Sequence, residues 1–203
     1  IIRKGQIEGI EKGDIRARNR FITGRGSVLI RMMVETYDSQ GKTEMNLKEQ
    51  AEMFLAQKRI AVVGVSREQG TGNGIFTTLR RRGHQVVPVN PNATEVMGEP
   101  CYPDLKSIPG GVDAAVIVTR PEVTEAVVHD CADAGVSHVW MHYNALFGKG
   151  NSSVSDTAVA YCREHDIDVI AGGCPLMFGE GADVGHKCMR WILGVTGGLP
   201  KDS

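Results

Sequence analysis

Residues 64–74 read GVSREQGTGNG, four glycines in eleven residues. Gly64, Gly70, Gly72 and Gly74 would let the backbone approach a phosphate closely and adopt positive φ. Free N–H groups at the start of a helix near Gly74 would then supply an anion site, with the hydroxyls of Ser66 and Thr71 as added donors. On this reading Gly72→Val blocks the phosphate site and leaves the fold cooperative. The loop departs from GxGxxG in spacing and length, and it lacks the GxxxxGK(S/T) of a P-loop. The bland use of such glycines is a tight strand-to-helix turn.

The second apolar run after this loop, QVVPV, ends in Asn90. A site for NAD ordinarily carries Asp or Glu there to hold the adenosine ribose diol. A carboxylate would repel a ribose phosphate, whereas the neutral Asn90 leaves room for one. Arg67, Arg120 and Lys106 are the candidate counter-charges. Coenzyme A and NADP both meet this description.

Other chemistry is weaker. Cys174 is placed at a strand end where a ligand thiol could reach it, but reactivity needs a lowered thiol pKa, and a small buried residue is the simpler expectation. His138 and His142 lie four apart on one strand and share a face. Zinc spacings are absent, so no metal is expected. His186 reads as a helix-surface residue, and Trp140 and Trp191 as core or helix-packing residues. GVSRE lacks the GxSxG frame of a nucleophile elbow. No catalytic residue emerges, which favours a binding protein over an enzyme.

The elements that would hold these residues follow from the apolar runs. RIAVVGV, QVVPV, VDAAVIVT, SHVWMH and DVIAG alternate with helical patterns at 74–83, 121–135, 152–166 and from Asp183 to Leu193. A further helix is predicted from Leu47 to about Gln57. Continuous apolar strands alternating with helices indicate a parallel sheet covered on both faces. The fold class is therefore α/β, a Rossmann-like doubly wound parallel sheet of about five strands. In such a sheet ligands bind beyond the C-terminal strand ends. That edge collects Gly64-Val65-Ser66, Asn90-Pro91, Thr119-Arg120-Pro121, His142-Tyr143-Asn144 and Gly172-Gly173-Cys174-Pro175.

The 203 residues allow one full domain and some extra. Residues 45–203 form the expected domain. Residues 1–44 are expected to be an irregular, poorly ordered N-terminal extension, locally basic and rich in glycine, with Met45 a suitable native start. A nucleic-acid-binding arm is the sharper alternative for it, without aromatic interleaving to support it. The formal net charge of -1 gives no electrostatic reason to expect nucleic acid or a membrane surface. No apolar run approaches a membrane span, and no signal peptide is visible, so a cytoplasmic location is the default. Five widely spaced cysteines point to reduced thiols. Whether the chain forms a homo-oligomer stays open.

Two resemblances add to this. The stretch from RIAVVGVSREQGTGNG through PVNP, GEPCYPDL and TRPEVTEAV to VSHVWM closely resembles small bacterial and archaeal CoA-binding proteins, which are similar to the N-terminal domain of the succinyl-CoA synthetase α subunit. It covers about residues 50–195. The resemblance implies that Gly64, Ser66, Gly70, Gly72 and Asn73 wrap the pyrophosphate of CoA or an acyl-CoA. It implies that Val89, Asn90 and Pro91 line the adenosine side, and that Thr119, Arg120, Pro121 and Val123 close over the adenine. Residues 140–145 and 172–175, among them Asn144, Gly173, Cys174 and Pro175, would meet the pantetheine arm. Gly173 stands where the synthetase turn usually has asparagine. Ligase activity is not carried over, because no sequence is left for the synthetase's phosphohistidine domain. The alternatives are an NADP-dependent oxidoreductase or redox sensor, and a DNA-binding or transposition-related protein. The latter rests on IIRKGQIEGIEKGDIRARNRFIT, which resembles the C-terminal tail of insertion-sequence transposases with a DDE core. A read-through fusion would account for it.

Overall fold

The computed structural model describes residues 45–144 and 152–200. The expectations for residues 1–44, including the transposase-like tail and the basic arm, lie outside the described residues. Helix α1 (Leu47–Leu55) opens at Asn46, whose side chain accepts from Glu49 N while Glu49 reaches back to Asn46 N. This reciprocal capping pairs two N–H groups that a helix start otherwise leaves unpaired.

Five parallel strands follow: β1 (Arg59–Val63), β2 (Gln85–Val89), β5 (Ala114–Ile117), β6 (His138–Met141) and β7 (Asp168–Ala171). Their spatial order is β2-β1-β5-β6-β7. The two short antiparallel strands β3 (Glu95–Val96) and β4 (Glu99–Pro100) form a small hairpin between β2 and β5. Helices α2 (Thr71–Arg81), α3 (Pro121–Asp133), α4 (Asp156–Glu164) and α5 (Val184–Thr196) make the crossovers and the C-terminal cover. The expected five-stranded, Rossmann-like α/β sheet is thus observed. Among the described residues no helix is long and apolar enough to cross a membrane.

Strand alternation divides the core in two. Val62, Val116, Trp140 and Ile170 are in register across the sheet and face one apolar layer with α1, α2 and α5. Val63, Ile117 and Met141 form the corresponding row on the other face, under α3 and α4. Trp140 is fully buried, meets Phe54 edge-on at 5.3 Å and donates its indole N–H to Gly172 O at 2.8 Å. Trp191 departs from expectation: it is 69% exposed on α5.

After β7 the chain crosses one face of the sheet through a 3-10 turn (Pro175–Met177). Arg82, just past the end of α2, holds this crossing in place. Its guanidinium donates to the carbonyls of Leu176 (2.8 Å), Phe178 (3.1 Å) and Gly181 (3.2 Å). Partial burial lowers its pKa, but three carbonyl acceptors suit a planar cation.

Candidate functional site

Strand order reverses between β1 and β5, because β2 lies on one side of β1 and the rest of the chain continues on the other. At the end of β1 a side chain cannot be accommodated at Gly64. Gly64 has φ +95°, and a Cβ there would fall 2.4 Å from Val118 O. Its N–H donates to Val89 O, and Val118 N–H donates to Val63 O. Gly72, in the first turn of α2, lies against Gly64, so that a Cβ on it would fall 2.8 Å from Gly64 O. Two glycines in backbone contact therefore set the start of α2 directly on the β1 end. The Cα of Gly72 faces the sheet end, and a side chain there would strain this backbone contact.

Helix α2 also starts earlier than the sequence suggests, at Thr71 rather than near Gly74, with Gly70 as N-cap. Glycine cannot cap with a side chain, and the first turn carries no acidic residue. The N–H groups of Thr71, Gly72 and Asn73 thus form an uncapped positive end at the switch in strand order. Helix α3 enters the same crevice from the β5 side but is a poorer donor. Pro121 has no N–H, and Glu122 places a carboxylate in its first turn.

Polar side chains around the crevice are already engaged with the loops. Asn73 accepts from Ser66 N (2.9 Å) and donates to Ser66 O (2.8 Å), closing the glycine loop into a ring. Its amide thus clamps the loop. Ser66 Oγ accepts from Glu68 N at 3.2 Å. Asn90 donates to Val65 O (2.6 Å) and accepts from Asn92 N (2.8 Å), tying the β1 and β2 loops together. Thr119 and Thr124 share a hydroxyl hydrogen bond of 2.9 Å at the start of α3. Val65 and Val89 belong to the two apolar layers, so their side chains point away from the crevice. Arg67, Gly70, Gly74, Pro91, Arg120 and Val123 are exposed around it.

Of the three candidate counter-charges, Arg67 and Arg120 hold no salt bridge among the described residues. Lys106 does not belong with them. It pairs with Asp133 (3.2 Å) and Asp130 (3.6 Å) at the C-terminal end of α3. That end is about 18 Å along the helix from Pro121, at the far edge of the sheet.

The β6–β7 part of the edge is covered by the chain itself. Tyr143 N–H donates to Gly173 O at 3.0 Å, the amide of Asn144 contacts Met189 Sδ of α5 at 3.1 Å, and Pro200 lies over Gly172 and Gly173. Cys174 is buried in the apolar layer that holds Trp140, and the next residue, Pro175, is buried as well. Burial raises the Cys174 thiol to about 11, so the strand-end thiol that sequence suggested for ligand or redox chemistry is protonated and enclosed. His138 and His142 share a strand face yet sit at its two ends, about 13 Å apart. His138 pairs with Asp168 at 3.3 Å, and His142 is 3% exposed with Nδ1 unpartnered. His186 caps back onto Asp183 at 2.6 Å on the surface of α5.

Together the five-stranded parallel sheet and the reversal of strand order define a Rossmann-like α/β domain of the doubly wound class. The chain belongs to the CoA binding domain family, whose model matches residues 58–180. It is 38% identical over 81 residues to acetate–CoA ligase [ADP-forming] I of Archaeoglobus fulgidus, a match covering 39% of this chain and 12% of that protein. A hypothetical protein from Pyrococcus horikoshii OT3 has a similar structure (TM-score 0.57, 28% identity), covering 63% of this chain and 86% of that one. The dinucleotide forming acetyl-coenzyme A synthetase 1 of Ca. Korarchaeum cryptofilum, in complex with phosphate and ADP, aligns with TM-score 0.51 and 29% identity over 62% of this chain and 28% of that chain. The chain therefore spans a small fraction of the ligases it matches.

Proposed function

We propose that this chain binds coenzyme A or an acyl-CoA at the β1–β5 switch, with the pyrophosphate on the first turn of α2. The observation that carries this reading is the uncapped start of α2, seated on Gly64 through Gly72. It presents N–H donors and helix-dipole charge with no carboxylate in its first turn to oppose an anion. Arg67 and Arg120, both exposed, would supply positive charge to a ribose phosphate, and neutral Asn90 does not repel one. The family supports CoA over NADP as the nucleotide. The chemistry proposed is binding, and the activity of the much longer ligases is not assigned to this chain.

Thermal unfolding with matched concentrations of CoA, dephospho-CoA and NAD tests this. CoA at 100 times its dissociation constant adds ~2.7 kcal/mol, on the order of 5–10 °C for a domain of this size. Arg120→Ala lowers affinity for CoA more than for dephospho-CoA, by about 1.5–3 kcal/mol if it makes one charge-assisted contact. A larger shift with NAD than with CoA overturns the reading.

A further inference from the structure

Helix α5 presents an apolar face to solvent. Val184 is 82% exposed, Trp191 69% and Val195 72%, and Cys188 is exposed between them. The residue buried from this helix is Leu193, on the opposite side. At 100° per residue the four exposed positions fall within one narrow stripe, the seam of a helix pair.

The spacing along this stripe is palindromic. From Val184 the steps are four, three and four residues, so reading the helix backwards gives the same pattern. Glycine is palindromic as well, since Gly185 and Gly194 flank the stripe at mirrored positions. A two-fold axis between residues 188 and 191 therefore sets Val184 against Val195, Cys188 against Trp191 and Gly185 against Gly194. Trp191 meets the smaller Cys188, and glycines on both flanks permit close approach. In this antiparallel register Lys187 faces Ile192 rather than a second lysine. Each helix N-terminus then lies beside the partner's negative C-terminal end. In an isologous contact the same patch serves both copies, residue i meeting j and j meeting i.

We infer that α5 is a homodimer surface, pairing antiparallel with α5 of a second copy through Val184, Cys188, Trp191 and Val195. An indole buries roughly 150–250 Å². With the valines and Ile192, each copy hides on the order of 400–500 Å² of apolar surface, near half of the ~1,000 Å² at which an interface becomes specific. The dimer is accordingly reversible.

Sedimentation equilibrium of the full chain over roughly 1–200 µM, where an interface of minimum size dissociates, gives a monomer–dimer equilibrium. Trp191→Lys, and separately Val195→Lys, raises its dissociation constant about tenfold or more. Both variants keep the parent's melting curve at monomer concentrations, because both side chains are exposed. In a Cys188→Ser background, Val184→Cys/Val195→Cys forms a covalent dimer under mild oxidation, with mass spectrometry finding 184 joined to 195. A chain that stays monomeric, a dimer insensitive to both lysine variants, or a 184–184 bond overturns the proposal. So does a monomer that binds anionic vesicles through Trp191, which would assign the face to lipid.

Discussion

Gly72 and Gly74 are separated by one residue, and the structure gives them opposite consequences. A Cβ at Gly72 meets Gly64 O at 2.8 Å, backbone that cannot move without disturbing the β1–β5 junction. A Cβ at Gly74 meets nothing within 4 Å. Gly72→Val is therefore expected to destabilise by about 1–3 kcal/mol through overpacking, whereas Gly74→Ala stabilises by about 0.5–1 kcal/mol through helix propensity. Urea unfolding of the two variants measures both, and equal effects would mean that α2 does not rest on Gly64. His142 gives a prediction in pH. Burial holds its imidazole neutral, with a pKa lowered to about 4. The unfolded chain, titrating near 6.5, binds more protons between these values. Stability from this residue is therefore complete above about pH 6.5 and lost as pH falls toward 4, up to about 3 kcal/mol. His142→Gln should flatten that part of the stability curve. Identical slopes in parent and variant between pH 7 and 4.5 would show that His142 is not held neutral by the fold.

At the scale of elements, the strands were legible because a sheet covered on both faces needs uninterrupted apolar runs, and RIAVV, QVVPV and DAAVIV supply them. The start of α2 was not legible. Thr71-Gly72-Asn73-Gly74 has low helix propensity, and it is helical because Gly72 packs on Gly64, a contact between segments that periodicity cannot register. The β3–β4 hairpin has two residues per strand, too few for alternation to show. At this end of the sheet glycine content marked the loop, but residue type could not show which polar side chains bind the loops themselves. Asn73 and Asn90 are spoken for by Ser66 and Val65, and Cys174 faces the core. Arg82 gave no signal at all, being one of three consecutive arginines in TLRRRG. Its three carbonyl bonds hold the segment after β7 to the end of α2. Arg82→Ala is expected to lower the melting temperature well beyond Arg81→Ala, since hydrogen bonds from a charged donor contribute about 1.5–3 kcal/mol each. Exposed Arg81 has no comparable partners among the described residues. Equal melting temperatures for the two variants would remove Arg82 from this role.

At the scale of the whole molecule, each apolar layer has a dense set of members among the described residues, which start at Met45. One begins with Ala51 and Phe54 of α1, and the other with Ala61 and Val63 of β1. Helix α1 carries its own start signal in the Asn46–Glu49 capping pair, which satisfies the N–H groups of Asn46 and Glu49. The proposed ligand site likewise draws on Gly64 to Arg120. A chain starting at Met45 is therefore expected to fold cooperatively and to melt within a few degrees of the full chain. It should also bind CoA with unchanged affinity, measured by calorimetry on both proteins. If the shortened chain were insoluble, or bound CoA about tenfold more weakly, equivalent to 1.4 kcal/mol, residues 1–44 would have to be counted as part of the domain. The two apolar layers would then be incomplete without them.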